Sequence, residues 1–385
     1  MILQIINLSH KEVFKKYSIL YNIYRDVYRY GLLAMEIRSL PKKLANTTQK
    51  IILSNGEICY KYSRLDSEQF NILFTGSLSD LFNLSRKILT NGDEELGYQL
   101  LNCINNYEKY DDKSYKIGEK LFSFNKAYVM GILNVTKDSF SDGGKNYNKN
   151  DAINYALKMI ENGADVIDIG GESTRPGAEG ISVKEEIERI IPVVKGVINK
   201  NPNSIISIDT TKSKVAELAL QEGAKIINDV NAFKKDPELI KVVKKYNASY
   251  ILMHMKGTPK NMQDNPTYND VVKEIYDFLF NKIKEIKKLG INNIFIDPGI
   301  GFGKKVEDNF QLLKRLEDFK SLGHPLLVGV SRKSFIGKTL DIDVDKRDTA
   351  SAIVEALAIK NGTKIIRTHN VENGVQICKL LNNLN

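Results

Sequence analysis

The sequence predicts an α/β protein with a (β/α)₈ TIM barrel over residues 123–385 and a smaller N-terminal α+β domain over residues 1–122. Two observations favour the barrel. From residue 127 onward, eight short runs rich in Ile, Val and Leu alternate with stretches of helical period. Eight such units in about 259 residues also match the usual size of this fold. An open, doubly wound sheet is the alternative.

The strands and helices of the predicted barrel follow one another in order along the chain. The strands are predicted at residues 128–135, 165–170, 205–209, 226–230, 250–255, 294–297, 326–330 and 364–368. Helices are predicted between them, for example at residues 151–161, 184–198, 213–221, 237–246, 270–289 and 349–360. Gly163, Gly223, Gly290 and Gly362 each precede a predicted strand, as expected of glycines that end a helix.

The first 122 residues lack this rhythm and predict mixed α and β structure. Tyr17, Tyr21, Tyr24 and Tyr28 fall on one helical face, which favours a surface packed on its own domain or on the barrel. A base-stacking surface or a partner site is the alternative for this face. A strand is predicted at residues 71–76, helices at 78–89 and 93–103, and a polar linker at 107–120.

Composition excludes several classes of protein. The net charge of +9 divides into 18 basic and 14 acidic residues through Lys126, and 38 and 33 afterwards, so the excess is diffuse. We therefore expect no nucleic-acid partner. No apolar run approaches the ~20 residues that span a bilayer, and no secretory signal is visible, so we expect a cytoplasmic protein without a membrane partner. Three widely separated cysteines predict neither disulfides nor a zinc site.

Unusual polar residues stand at the end of every predicted strand. In strand order they are Asn134, residues 171–175, Asp209, Asn228 with Asp229, residues 253–255, Asp297, residues 331–333 and residues 367–369. The carboxyl ends of parallel barrel strands converge on one mouth, where enzymes of this fold build their active sites. The sequence therefore predicts one active site that draws on all eight strands.

Eight segments in the same order closely resemble dihydropteroate synthase. They are residues 130–144, 170–178, 207–210, 226–229, 252–255, 297–304, 331–334 and 367–369. The resemblance covers the whole predicted barrel, and the first domain resembles the accessory extension of longer members from clostridia-like bacteria. It implies a transferase of folate biosynthesis that condenses 6-hydroxymethyl-7,8-dihydropterin diphosphate with 4-aminobenzoate, in an SN1-like displacement of diphosphate.

The resemblance also implies a pterin site. Asp209, Asn228, Met253, Asp297 and Lys333 are its expected members, with Asp209 and Lys333 as the catalytic residues. A carboxylate can accept from two adjacent N–H groups of the pterin edge, while an amide offers both a donor and an acceptor. Asp209 would also face the positive charge that develops if the C–O bond breaks before the amine attacks.

Two further sites follow from the resemblance. Asn134, Arg367 and His369 would bind diphosphate, with Mg²⁺ held through Asn134 and the oxygens of the substrate. The 4-aminobenzoate site and its loops would use Thr174, Arg175, Pro176, Phe302 and Ser334. Residues 136–144 and 173–180 would form movable loops over the site. The resemblance also implies sulfonamide binding and a homodimer formed through late barrel helices.

Several alternatives stay open from the sequence alone. A methyltetrahydrofolate:corrinoid methyltransferase would use a similar pterin barrel, and a non-catalytic pterin-binding protein is a second class. Arg332 is equally suited to an ion pair and to ligand contact, and His254 to the site and to the core. Lys137, Thr368 and Asn370 depart from the Pro, Val and Asp usual in the family, and Lys137 would loosen the first loop.

Overall fold

The computed structural model describes residues 1–21, 33–53, 59–66, 68–136, 149–173 and 180–384. The chain forms two compact units. The first comprises Met1–Tyr110 together with Arg315–His324, and the second comprises Asp111–Lys314 together with Pro325–Asn385. The sequence placed a single boundary at residue 122, whereas the structure divides the chain after Tyr110 and returns it to the first unit for ten residues.

The first unit is built on an antiparallel sheet with the strand order β1-β2-β4-β3. Its strands are β1 (Ile2–Asn7), β2 (Leu33–Pro41), β3 (Cys59–Arg64) and β4 (Gln69–Gly76). Its helices are α1 (Lys11–Tyr21), α2 (Lys42–Leu53), α3 (Leu78–Asn91) and α4 (Glu94–Glu108). Successive residues Ile5 and Ile6 of β1 join different apolar clusters, so both faces of the sheet are covered. The predicted α+β architecture is confirmed.

The tyrosine face of α1 is part of this core. Tyr17 and Tyr21 are buried, and their rings stack with centroids 6.1 Å apart. The Tyr21 hydroxyl donates to Glu36 Oε1 over 2.6 Å. For these two residues the structure favours a packed face over a base-stacking surface, while Tyr24 and Tyr28 lie outside the described residues.

Residues 315–324 complete the first unit although they follow the barrel's sixth strand in sequence. The Asn7 backbone N–H donates to Asp318 Oδ1 over 3.1 Å, and the Ile5 N–H donates to Ser321 Oγ over 3.3 Å. Arg315 Nε donates to the same Asp318 carboxylate over 2.8 Å. These bonds satisfy backbone donors of β1, which stands at the edge of its sheet.

In the second unit, eight parallel strands of the described chain close into a barrel, which confirms the predicted fold and excludes the open sheet. They are β7 (Tyr128–Asn134), β8 (Val166–Gly170), β9 (Ile206–Asp209), β10 (Ile226–Asp229), β11 (Ser249–Met253), β12 (Ile294–Asp297), β13 (Leu326–Val328) and β14 (Thr363–Thr368). The surrounding helices are α5 (Lys149–Glu161), α6 (Val183–Lys200), α7 (Ser213–Gln221), α8 (Glu238–Lys245), α9 (Val271–Lys288), α10 (Val306–Lys314), α11 (Ser334–Leu340), α12 (Asp348–Lys360) and α13 (Val371–Asn382).

The segment expected to be a linker is largely ordered structure, so that interpretation was wrong. Tyr107 belongs to α4, and a hairpin follows from β5 (Ser114–Ile117) and β6 (Lys120–Ser123). Ile117, Phe122 and Phe124 pack in one cluster with inward-facing residues of the barrel strands. The hairpin therefore closes the base of the barrel, the end opposite the polar strand ends.

None of the helices among the described residues is long and apolar enough to cross a membrane. Cys103 and Cys378 are free and buried. The cytoplasmic location stays a prediction.

We predict that the Phe122→Ala variant loses about 3–5 kcal/mol of unfolding free energy, because it opens a cavity among fully buried side chains. Urea denaturation monitored by circular dichroism measures the change. Leu121→Ala is the matched control, since Leu121 is 62% exposed and its truncation should change stability by about 0.5 kcal/mol or less. Equal effects of the two variants would contradict the packed base.

Candidate active site

The structure brings the polar strand ends together, as predicted. Asn134 ends β7 in register with Gly170 of β8, and Gly170 is in turn in register with Asp209 of β9. Asn228 and Asp297 end or nearly end β10 and β12 and are both buried. Buried carboxylates and amides at strand ends are costly unless they are paired, so each requires a partner.

Arg367 of β14 is the central partner of these groups. Its Nε donates to Asp168 Oδ2 over 2.6 Å, and its terminal Nη2 donates to Asp209 Oδ2 over 2.9 Å. Asn228 Nδ2 donates to the same Asp168 oxygen over 2.9 Å. One hydrogen-bonded group thus joins the predicted Asp209, Asn228 and Arg367.

Asp168 was missed by the sequence analysis. It lies in the middle of β8 between two buried isoleucines and is itself fully buried. The prediction considered only residues at the ends of strands, and Asp168 lies two residues before the end of β8. The available signal was an ionisable residue inside an apolar strand, where an unpaired carboxylate would be strongly destabilising.

Burial raises the pKa of Asp209 to about 7. Arg367 opposes this shift, while the negative charges of Asp168, Glu186 and Asp229 add to it. Burial alone would lower the pKa of Arg367, but Asp168 and Asp209 outweigh burial and the pKa is raised. The site therefore combines a permanent cation with a carboxylate that changes charge near neutral pH.

Lys333 and Asp297 are two further opposite charges in the site, and each opposes the effect of burial on the pKa of the other. Burial raises the pKa of Asp297 against the opposing effects of Lys333 and of the Gly299 N–H, which donates to Asp297 Oδ1 over 2.7 Å. Burial lowers the pKa of Lys333 to about 8, although Asp297 opposes the shift. Lys333 Nζ donates to the Ile300 carbonyl and lies 4.6 Å from the centre of the Phe302 ring. The structure thus brings together the predicted Asp297, Phe302 and Lys333.

His369 is oriented by Ser331. The His369 backbone N–H donates to Ser331 Oγ over 3.1 Å, and His369 Nδ1 lies 3.1 Å from the same oxygen. Because Oγ accepts from the backbone, its own hydrogen can be donated to Nδ1. When the Ser331 hydroxyl donates to Nδ1, the proton of the neutral ring lies on Nε2, from which it can be donated to a ligand.

Arg332 is held in an ion pair. Its Nε and Nη2 donate to the two oxygens of Asp348 over 2.6 and 2.9 Å. Asn370 Nδ2 also donates to Asp348 Oδ2 over 3.2 Å. Of the two roles left open by the sequence, the structure favours the structural one for Arg332.

Met253 and His254 separate into different surroundings. Met253 is buried in an apolar cluster with Val230, Met255, Met262 and the partly buried Phe302. His254 packs edge-on against Phe278, with ring centres 5.0 Å apart, and its Nδ1 lies 3.1 Å from the buried Lys304 Nζ. His254 therefore belongs to the core, whereas Met253 shares its cluster with a predicted site residue.

A cavity of about 400 Å³ opens beside Asp209. Its lining includes Glu172, Thr210, Asn231 and Met255. Lys212 bridges Glu172 and the buried Glu186, and thereby holds the chain next to the second predicted loop. Ser334 begins α11 and is exposed. The predicted residues Thr174, Arg175 and Pro176, and most of the first loop with Lys137, lie outside the described residues.

Comparisons with known proteins agree with this arrangement. The family model for pterin binding enzymes matches residues 130–369, which span the barrel. The dihydropteroate synthase of Synechocystis sp. is 46% identical over 268 residues, covering 69% of this chain and 92% of the relative. That of Clostridium beijerinckii is 43% identical over 269 residues, covering 69% and 97%.

Solved structures give the same result. The Yersinia pestis dihydropteroate synthase with a sulfonamide drug complex superposes with a TM-score of 0.67 at 38% identity, over 71% of this chain and 99% of that one. The Xanthomonas albilineans enzyme in complex with 7,8-dihydropteroate superposes with a TM-score of 0.63 at 34% identity, over 71% and 98%. The chain therefore belongs to the dihydropteroate synthase family of pterin-binding enzymes.

Proposed function

We propose that the chain catalyses the reaction of its family and condenses 6-hydroxymethyl-7,8-dihydropterin diphosphate with 4-aminobenzoate, releasing diphosphate and 7,8-dihydropteroate. The main support is the hydrogen-bonded group at the strand ends, in which Arg367 bonds to Asp168 and Asp209, and Asn228 bonds to Asp168. It offers acceptors for a pterin edge and a permanent cation for a leaving diphosphate in one place. The Xanthomonas albilineans relative has been solved with 4-aminobenzoic acid and with 7,8-dihydropteroate, which supports the choice of substrates.

In this proposal Asp209, Asn228 and Asp297 accept from and donate to the polar edge of the pterin. Met253 supplies apolar contact from its buried cluster. Burial lowers the pKa of Lys333, and its ammonium group, 4.6 Å from the centre of the Phe302 ring, is proposed to contact both substrates.

The charged and polar groups of the site explain how diphosphate is displaced. The C–O bond breaks with its electron pair moving to the diphosphate, which Arg367 and the Nε2–H of His369 stabilise. The Asp209 carboxylate stabilises the positive charge left on the pterin carbon. The amine of 4-aminobenzoate attacks that carbon and loses one proton. No strong general base is required, because the aromatic amine is already neutral at pH 7.

Magnesium is proposed at Asn134. Among the described residues, no group of three or more His, Cys, Asp or Glu side chains is arranged to hold a metal ion. One amide oxygen at the end of β7 fits an ion whose other ligands are water and diphosphate oxygens. When bound, the ion would neutralise part of the charge on the leaving group.

The second substrate is proposed to lie near Phe302 and the exposed Ser334, which flank Lys333. Phe302 would stack against its aromatic ring, and Ser334 at the first turn of α11 would donate to its carboxylate. Contributions from Thr174, Arg175 and Pro176 stay predictions. A corrinoid methyltransferase is disfavoured, because the relatives and solved structures that match this chain are dihydropteroate synthases.

We predict that the purified chain releases diphosphate when it is given the pterin diphosphate, 4-aminobenzoate and Mg²⁺, as measured by a coupled phosphate assay. A sulfonamide should raise the apparent KM for 4-aminobenzoate without changing kcat, because it competes for the same pocket. Absence of turnover, under conditions in which the Escherichia coli relative is active, would refute the proposed reaction.

We predict that kcat/KM rises with pH through about 7, because the Asp209 carboxylate is needed in its charged form and its pKa is raised to about 7. Asp209→Asn should remove this dependence and lower kcat by about 100- to 1,000-fold. The exposed Asp151→Asn variant is the control and should keep the wild-type profile. An Asp209→Asn enzyme with wild-type kcat would show that the carboxylate has no role in the displacement.

We also propose that the protein is a homodimer through the late barrel helices. Ile353 and Leu357 of α12 are 60% and 56% exposed, and Leu340 of α11 is 52% exposed. Ile353 and Leu357 stand four residues apart and therefore on one face of α12, and an exposed apolar face is typical of an interface.

We predict by light scattering a mass of twice 43.5 kDa for the wild type and 43.5 kDa for Leu357→Glu. Burying an unpaired carboxylate in an apolar interface is strongly unfavourable, so the variant should dissociate. Leu65→Glu, at a site 55% exposed in the first unit, is the control and should stay dimeric. A monomeric wild type would contradict the proposal.

A further inference from the structure

We propose that Asp168 is a positioning residue for the displacement: one of its carboxylate oxygens fixes Asn228 and Arg367 together, and its charge keeps Arg367 from pairing with Asp209 alone. The inference rests on the proposed function, since it concerns the same site. Asp168 lies outside the eight segments that resemble dihydropteroate synthase, and the resemblance assigns it no role.

The geometry of the contacts carries the first half of the proposal. Asp168 Oδ2 accepts from Asn228 Nδ2 over 2.9 Å and from Arg367 Nε over 2.6 Å. The strand β8 of Asp168 pairs with β7 and β9, whereas Asn228 and Arg367 stand on β10 and β14. Both bonds therefore cross the interior of the barrel to strands that are not neighbours of β8, and Asp168 sets the distance between them.

The second oxygen of Asp168 distinguishes it from an ordinary paired carboxylate. Oδ1 is buried and has no hydrogen-bond partner among the described residues. Ser207, the register partner of Asp168 on β9, likewise has a buried hydroxyl without a hydrogen bond in that part of the chain. All of the hydrogen bonding of Asp168 therefore runs through Oδ2, toward Asn228 and Arg367.

This asymmetry allows charge and geometry to be tested separately. In Asp168→Asn the remaining oxygen can take the place of Oδ2, and the new amide group takes the place of the unpartnered Oδ1, with the Ser207 hydroxyl as a possible acceptor. The contacts to Asn228 and Arg367 are kept while the charge is lost. In Asp168→Ala both the charge and the contacts are lost.

The charges around Asp209 set the direction of the expected change. Arg367 faces it from β14, Asp168 from β8, Glu186 from α6 and Asp229 from β10, and burial raises its pKa to about 7. Asp168 contributes to the raised pKa through its negative charge, and it also shares the Arg367 cation. Removing the Asp168 charge leaves that cation to Asp209, so both effects lower the pKa of Asp209.

The test compares pH profiles of kcat/KM for diphosphate release, since this parameter reports on groups of the free enzyme. In Asp168→Asn we expect the acid limb to move to lower pH by about one unit, the size of shift that a neighbouring charge produces. In Asp168→Ala we expect kcat/KM to fall about 100-fold at all pH values, because Asn228 and Arg367 lose their common anchor.

Ser207→Ala is the matched control, because it removes a buried polar group beside Asp168 that bonds to no site residue. Its acid limb should coincide with that of the wild type. An Asp168→Asn profile that also coincides with the wild type would overturn the inference, even if its thermal stability were reduced. An inactive wild type would refute the proposed function instead, so the two failures are distinguishable.

Discussion

Arg367, whose side chain is only 19% exposed at the mouth of the barrel, constrains the residues around it. A cation removed from water is tolerated only when anions surround it closely, and two carboxylates, Asp168 and Asp209, meet that requirement. Two carboxylates beside one guanidinium then leave the group with a net negative charge. Burial is the largest cause of the raised pKa of Asp209, and this excess of negative charge adds to it.

The closed barrel makes this arrangement possible. Parallel strands hold the residues of the group in fixed register, and the hairpin at the base fills the opposite end with Phe122 and Phe124. The active-site end can therefore be polar while the other end supplies the apolar burial. Next to the site, Arg332 and Asp348 pair with each other. Lys333 interacts instead with Asp297 and with the Phe302 ring.

Much of this could be predicted from the sequence, because period and position carry the information. Alternating apolar runs and helical stretches indicated eight strands, and polar residues at their ends indicated Asp209, Asn228 and Arg367. The role of Asp168 could not be predicted, because this mid-strand side chain joins the site through contacts with residues 60 and 199 positions away. The basal hairpin was not predicted, because strands of four residues with exposed lysines have the composition of a linker.

Because residues 315–324 belong to the first unit, the chain passes between the two units more than once. Asp318 and Ser321, encoded within the barrel, accept hydrogen bonds from the first strand of the protein, more than 300 residues earlier. A barrel shortened at its N-terminus would keep this segment and lose the donors it serves. Transfer of the N-terminal unit to another barrel would therefore have to include an equivalent of residues 315–324 to keep these two hydrogen bonds.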